Sequence, residues 1–573
     1  MRGTGMTLGE AVGGLGGQLS GYLARQQTTP GRFDTGAVVR ADWGADDPGG
    51  TAGLVALALW RHLMRRRFPD LAGGGPDEDA VLPRVRPALD YLERAQRPSG
   101  LTDLRDCNYD SSPDAGFILQ AVCPPLLVAR ETPPAPEWAE PFSRLEAFAL
   151  RMTEGARAGG FHTPNHRWVI SGALALAGRL FPDIPVGDTI DAYLAEGIDL
   201  DADGFYIERS AGVYDAICAR SLLILARDER YAYLRDAVAR NLRADLYLLN
   251  ADGTVETGLS RRQDNGTVPL GASLAVPYLW ASFLPPADDS EAPALFRSAA
   301  AFLWEATPPA QRDCYGLSQV LVRYGEPEPA DSAALPDSFA RHFGANGLWR
   351  VRRGPLSASF FRDSARLFNF RFGQAYLPSV SIHQSYFGVG QFIADEMTVE
   401  DGGAARLLSR GERHPYRPGY EQPLGRPVLP EEFREARAER EIRRLPPARA
   451  ELTAREIDAG FALRLRTVDT LERATVQVAF DFPAGGVWET DDTALKPEPG
   501  QTLFLKGGPG TMWYGNDAVR IGPGADAHRM WRMRDADPPA APGLVRVLMT
   551  FETPVDHAFT VTGGTWPWPT PST

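Results

Sequence analysis

The sequence predicts a two-part α+β chain: helical hairpins arranged as a toroid or solenoid over residues 1–335, then an antiparallel β-sandwich over residues 336–573. The spacing of apolar residues carries the first half of that statement. Leu234, Val238, Leu242 and Leu246 recur every four positions, and Leu145, Phe148 and Ala149 repeat the spacing, which gives each helix one buried face. In the second half the period drops to two, and turn residues rather than helices separate the runs. The composition agrees with a soluble globular protein: 573 residues, 43% hydrophobic and 23% charged. At roughly 150 residues per domain there is room for about two to four domains.

Ala-rich amphipathic segments around residues 51–65, 87–95, 115–130, 140–153, 169–181, 188–197, 212–227 and 231–249 read as helices. Clusters of Pro, Gly and Asp part them: PDEDA, RPSG, ETPPAPEW, FPDIPVGD and DADG. No fixed-length repeat assigns these hairpins to a named repeat class. EPEPADSAALPDS reads as a linker and sets the boundary near Asp331–Ser338. Beyond it, GLWRVRRGPLSASFFRDSARLFNFRFG holds three alternating runs separated by Gly-Pro and Arg-Asp-Ser turns. FALRLRTV, ATVQVAFDF, TLFLK, AVRIG and LVRVLMTF continue the pattern, and strands without intervening helices pair antiparallel. The Arg-, Glu- and Pro-rich stretch 407–450 reads two ways, since EEFREARAEREIRRL suits an exposed helix or, in part, an edge strand.

With 60 basic and 73 acidic side chains the net charge is −13, the wrong sign for a dedicated nucleic-acid binder. A polyanionic ligand has to be held by a local arginine cluster working against the overall field. The cysteines Cys107, Cys123, Cys218 and Cys314 are scattered without a CxxC pair, so neither a disulfide framework nor a zinc ribbon is expected. The opening MRGTGMTLGEAVGG lacks the apolar core of a secretory leader, which points to the cytoplasm, or to a secreted or periplasmic chain if a leader has been removed. Apolar helical segments such as Leu54–Trp60 fall short of the roughly 20 residues that span a bilayer, so no membrane partner is expected. The zincin, P-loop and α/β-hydrolase signatures HExxH, GxxxxGK[ST] and GxSxG do not occur.

Chemistry is suggested at four places. In FHTPNHRWV, Asn165 and His166 stand just ahead of an apolar helix. They form either an ordinary helix cap with an exposed imidazole beside it, or an amide and an imidazole held at the mouth of a pocket. In DADGFYIERSAGVYDA, Asp203-Gly204 makes a turn, Phe205 to Glu208 is extended, and Ser210 caps a helix carrying Tyr214. Taken alone, Tyr214 is a packing residue. SVSIHQSYFG places His383 in a strand, where a polar side chain ordinarily faces solvent. ETGLSRRQDNG supplies Arg261, Arg262 and Gln263 after another Asp-Gly turn, as a solvated loop or as a bidentate grip on carboxylate or sulfate groups. Arg167 and Trp168, beside His166, add a candidate carboxylate clamp and a sugar-stacking surface.

An Asn-His pair in the helical half, then DG-x-x-x-E-x-x-x-x-x-Tyr, then a His early in the β half: this order resembles the heparinase II/III-like and alginate-lyase group of polysaccharide lyases, which join an (α/α) toroid to an antiparallel β-sandwich. SPDAGFILQ is similar to a toroid helix of that group. The resemblance implies that Asn165, His166, Tyr214 and His383 are catalytic; Arg167, Trp168, Arg209, Arg261, Arg262 and Gln263 are the candidate substrate contacts from residue type and position. Where the group usually carries Gly or His, this chain has Arg209, which bears on subsite preference. The implied substrate is an acidic polysaccharide or oligosaccharide containing uronic acid, glycosaminoglycan- or alginate-like, cleaved by β-elimination without a required cofactor. Part of the group holds a structural metal in the β domain, but His414 and His528 have no ligand spacing here, and no metal ligands are assigned.

β-Elimination sets its own demands. The proton at carbon 5 is weakly acidic, so the site must stabilise an enediolate-like dianion, and Asn165 is placed to donate to the substrate carboxylate. A tyrosine hydroxyl ordinarily titrates at about 10, which suits an acid. It serves also as base, in a syn elimination, where cations such as Arg209, Arg261, His166 and His383 surround it. In an anti elimination the base is His166 or His383. The competing reading is a glycoside hydrolase on an α-toroid, with a carboxylate pair drawn from Asp201, Asp203, Glu208 and Asp264. A non-catalytic carbohydrate-binding protein is the third reading. The polymer, the choice of endo or exo attack and the oligomeric state are open in the sequence.

Overall fold

Two kinds of helix build the first part of the chain, and burial tells them apart. The helices are α1 (Leu8–Ala24), α2 (Pro48–Arg67), α3 (Glu78–Ala95), α4 (Ser112–Ala129), α5 (Ala139–Ala158) and α6 (Pro164–Leu180). They continue with α7 (Gly187–Ala195), α8 (Tyr214–Leu225), α9 (Leu234–Leu246), α10 (Ala275–Phe283), α11 (Ala292–Ala306) and α12 (Cys314–Tyr324). In α2 every residue from Leu54 to Met64 is buried, and in α6 every residue from Asn165 to Leu174. In contrast, α3 buries the stripe Val81, Val85, Ala88, Leu89 and Leu92, and the apolar stripe of α9 is Leu234, Val238 and Leu242. A helix buried all round is enclosed by protein, whereas a striped one needs a single wall. Accordingly α2, α4, α6, α8, α10 and α12 are neighbours in that order around an inner ring, and each of α3, α5, α7, α9 and α11 packs outside its predecessor.

This computed structural model describes residues 5–567 apart from 43, 72, 328–332, 387–388, 401, 412–418, 447 and 534–540. The chain divides into two units, Met1–Leu335 and Pro336–Thr573. The ring of the first unit closes through Trp60 of α2, whose Nε1 donates to Ser318 Oγ of α12 at 2.9 Å and whose ring meets Tyr315 edge-on at 5.9 Å. Trp60 is 1% exposed. Trp60→Ala is therefore expected to lower the stability of the helical unit by about 3–5 kcal/mol, read as a lower urea midpoint in denaturant unfolding.

Helix α1 was not expected, because its six glycines disfavour a helix by about 1 kcal/mol each. Close packing overrides propensity there. A Cβ at Gly14 would lie 2.3 Å from Cys314 Sγ, and one at Gly16 would lie 2.6 Å from the Gly74 carbonyl oxygen. Helix α4 corrects a second expectation: its 18 residues are long and apolar enough to cross a membrane by length and composition, and 61% of that window is buried inside the protein.

In the second unit the described residues form two nine-stranded sheets. One orders Thr502–Phe504, Leu544–Glu552, Thr475–Pro483, Ala375–Tyr386, Phe368–Phe372, Leu356–Phe361, Leu348–Arg353 and Ser338–Phe343, with Val389–Gln391 also on Ala375–Tyr386. The other runs from Glu396–Glu400 through Ala404–Ser409, Arg449–Ile457, Gly460–Val468, Asp556–Thr565, Asp517–Gly522, Gly510–Tyr514 and Val487–Glu489 to Ala494–Leu495. The two sheets share one apolar core, in which Phe360 meets Phe461 at 5.0 Å and Phe480 meets Phe559 at 5.9 Å. FALRLRTV shows why: Phe461, Leu463 and Leu465 point inward while Arg464 and Arg466 point out. Among the named strands of the described residues pairing is antiparallel except at one edge, where Thr502–Phe504 runs parallel to Leu544–Glu552. The ambiguous stretch resolves both ways, into a helical turn at Phe433–Ala436 and a strand Ile442–Arg444 paired with Gly419–Glu421.

Candidate active site

Helix α6 opens with Thr163 as its extended N-cap and Pro164 in the first turn, where a residue without an N–H loses nothing. Asn165 and His166 thus lie inside the helix, which corrects the alternative that Asn165 is the cap. Asn165 Nδ2 donates to Glu208 Oε2 at 2.8 Å and to Thr163 Oγ1 at 3.2 Å, while its buried Oδ1 has no partner.

Glu208 arrives on a tight reversal. Asp201 Oδ1 accepts from the backbone N–H of Asp203 at 2.9 Å and of Phe205 at 3.0 Å, and Gly204 turns the chain at φ +94. Arg209 then sits at φ +52, a left-handed backbone that glycine takes freely and that costs arginine about 1–2 kcal/mol. The cap position of α8 belongs to Val213, not Ser210. From outside the helix, Ser210 Oγ still accepts the Tyr214 N–H at 3.3 Å. A second loop carries Arg261 to Gln263, and the Arg261 N–H donates to the Glu208 carbonyl at 2.9 Å, tying the two loops together.

A continuous polar chain results. The half-buried Tyr214 hydroxyl accepts from Gln263 Nε2 at 2.8 Å and from Arg262 Nη2 at 3.3 Å, with the guanidinium 4.7 Å from the Tyr214 ring centroid. Arg262 Nε lies 3.4 Å from Glu208 Oε1, and Glu208 holds Asn165. Burial raises the Glu208 pKa, against the pull of the Asn165 hydrogen bond and the Arg262 charge. Asn165, Glu208, Arg262, Tyr214 and Gln263 are thereby joined without a gap.

His166 is 8% exposed, its Nδ1 buried with no partner. Its ring meets His162 edge-on at 4.7 Å and Phe117 at 6.4 Å. Burial, then the charges of His162 and Arg262, lower its pKa from 6.5 to about 4. Between those two values the unfolded chain binds a proton that the folded chain does not, so stability falls as pH drops from 6.5 toward 4. His166→Gln is expected to flatten that acid-side loss, leaving the difference between variant and wild type constant above pH 6.5; thermal unfolding across the range measures it.

Two expected substrate contacts are corrected. Arg167 Nη1 pairs with Glu196 at 3.0 Å and Nη2 with Asp199 at 3.2 Å, so its guanidinium is already committed. Trp168 is 0% exposed and donates to Asp199 Oδ1 at 2.9 Å, which leaves no face for a sugar. Arg209 is half-buried. The exposed Arg261 side chain has no hydrogen-bond or ion-pair partner among the described residues. His383 lies in the second unit, in Ala375–Tyr386, and is buried rather than solvent-facing, with Nε2 2.8 Å from Ser381 Oγ. Burial, with Arg546 adding, lowers its pKa to about 3.

The carboxylates of the hydrolase reading have other work: Asp201 builds the turn, the buried Asp264 accepts the Ser260 hydroxyl, and Glu208 holds Asn165 and Arg262. Among the described residues no three His, Cys, Asp or Glu side chains gather as metal ligands. His528 does not fit a metal, because Nε2 lies 3.2 Å from the Val476 carbonyl and Nδ1 accepts from the Met530 N–H at 3.2 Å; His414 lies outside the described residues. His162 and Phe117 were not singled out from sequence, although FHTPNH and SPDAGFILQ contain them.

A ring of hairpins followed by a two-sheet sandwich is the architecture of the heparinase- and chondroitinase-like polysaccharide lyases, and the chain has that fold. It is similar to a chondroitin AC lyase of Streptomyces coelicolor A3, with TM-score 0.54 and 12% identity over 98% of this chain and 80% of that one. It is similar also to the heparan sulfate lyase HepC of Pedobacter heparinus, with TM-score 0.50 and 11% identity over 97% of this chain and 83% of that one. A chondroitinase AC lyase solved with oligosaccharides gives TM-score 0.52 and 10% identity over 98% and 83% of the two chains. No family profile matches the chain, and no curated protein matches it by sequence.

Proposed function

We propose that the protein is a polysaccharide lyase that cleaves a uronic acid-containing polysaccharide or oligosaccharide by β-elimination, leaving a 4,5-unsaturated uronate end. The observation that carries this reading is the Tyr214 hydroxyl, which accepts N–H bonds from both Arg262 and Gln263. An oxygen accepting two such bonds directs its own hydrogen elsewhere, toward a ligand. Tyr214 is then the general acid for the glycosidic oxygen. His166, held neutral and with Nδ1 unpartnered, is the base. The base takes the carbon-5 proton, the carbon-4 to oxygen bond breaks, a carbon-carbon double bond forms, and the departing oxygen takes the Tyr214 proton.

Asn165 needs a rearrangement to meet the substrate carboxylate, because both its N–H bonds are spent on Glu208 and Thr163. Protonation of Glu208, which burial favours, weakens the first of them. Arg261 supplies an exposed guanidinium for a further carboxylate or sulfate.

The test is to incubate the protein with glycosaminoglycan, alginate and glucuronan polymers and their oligomers while following ultraviolet absorbance. New absorbance from a double bond conjugated to the carboxylate supports the lyase. Reducing ends without absorbance favour the hydrolase, and no turnover on any of these substrates removes both.

A further inference from the structure

The six inner helices alternate with outer partners and so run the same way, which brings their last turns to one end of the helical unit. Asn165 opens α6 and Arg179 closes it, about 20 Å apart along the helix at 1.5 Å per residue. At the Arg179 end lies a cavity of about 440 Å³ walled by residues of all six inner helices. Five arginines line it, Arg67, Arg179, Arg220, Arg227 and Arg323, against a single carboxylate, Glu131. Glu131 lies 3.9 Å from Arg67; the other four guanidinium groups have no ion-pair partner among the described residues. A local excess of positive charge thus stands in a chain whose net charge is −13.

Helix C-termini attract cations, which accounts for single arginines at such places. It does not account for donors buried without acceptors. Arg227 Nε and Gln319 Nε2 are both buried and unpartnered, and such groups cost free energy unless a ligand meets them. Burial, then Arg179 and Arg323, lower the Arg227 pKa to about 9, the response of a guanidinium buried beside like charges. Tyr324 adds a further donor, since its oxygen accepts from Trp280 Nε1 at 3.4 Å and leaves its own hydrogen to give.

We propose that this chamber is an oxyanion-binding site, taking a sulfate, phosphate or carboxylate group, free or carried on a small sugar acid, on Arg227, Arg323, Arg179 and Gln319 at the end of the helical unit opposite Asn165.

The experiment is thermal unfolding of the full chain in inorganic sulfate, against chloride at matched ionic strength. Sulfate is expected to raise the midpoint saturably. Arg262→Gln keeps the response, and Arg227→Met raises the half-saturating concentration at least about tenfold, the weight of one charge-assisted hydrogen bond. Gln319→Glu serves should Arg227→Met not fold: the introduced carboxylate raises the midpoint without sulfate and abolishes the response. Glucuronate half-saturating below sulfate assigns the site to a sugar acid, and the reverse assigns it to a free ion. No saturable response, a response intact in both chamber variants, or one lost in Arg262→Gln overturns the proposal, the last by placing the anion beside Tyr214.

Discussion

Replacing Tyr214 with phenylalanine is expected to lower turnover by about 100- to 10,000-fold, the range a positioned proton donor contributes, with KM close to wild type. The substitution deletes one oxygen and little else. The aromatic ring remains for the Arg262 guanidinium, now 4.7 Å from its centroid, and the Ser210 contact to the residue's N–H is untouched. Arg262 and Gln263 lose an acceptor, but Gln263 is exposed and Arg262 half-buried, so water replaces it. Folding should therefore survive, with a thermal midpoint near wild type, while the rise in ultraviolet absorbance slows. Wild-type turnover in this variant would remove Tyr214 as the acid. A collapse of the thermal midpoint would mean that the hydroxyl serves packing instead.

How far sequence reached depended on which face of each helix does the packing. The stripe of α9 was legible because Leu234, Val238 and Leu242 alternate with polar residues, as expected for an outer helix. The inner helices gave no stripe. In α6, burial runs unbroken from Asn165 to Leu174, so nothing in the pattern separates residues facing the ring interior from those facing outer helices. For that reason Trp168 read as a sugar platform and Arg167 as a clamp, when Asp199 takes both. Tyr214 and Arg262 were both legible as residue types, but their contact was not, because two separate loops bring them together and the Arg261–Glu208 backbone bond joins those loops. Glu208 was visible as the Glu of the DG-x-x-x-E-x-x-x-x-x-Tyr pattern and as a candidate hydrolase carboxylate. Its place between Asn165 and Arg262 is a product of the Asp201 turn and the left-handed Arg209, which no periodicity encodes.

Asn165→Asp is the second large expected effect, and its sign depends on pH. The side chain keeps its shape but exchanges an N–H donor for an oxygen. That oxygen would face Glu208 Oε2, now 2.8 Å from Asn165 Nδ2, in a buried site. Two carboxylates at such a distance do not both ionise readily, so the pair holds one proton to a higher pH than either would alone. Under the proposed function Asn165 turns a donor to the substrate carboxylate, and loss of such a donor costs about 100- to 1,000-fold in turnover, while a second negative charge repels that carboxylate as well. At about pH 8, kcat/KM is therefore expected to fall at least about 100-fold. Toward pH 5 the pair takes up its proton, and part of the loss should return. Stability follows the same sign: a raised carboxyl pKa stabilises the folded state below the ordinary carboxylate range and ceases to do so as pH rises through the raised value, so the thermal midpoint of the variant declines with rising pH relative to wild type. The ratio of variant to wild-type kcat/KM across that range is the measurement. A reduced ratio independent of pH would leave the lost donor as the whole effect and remove the proton shared between residue 165 and Glu208, and a ratio near one would remove Asn165 from the reaction.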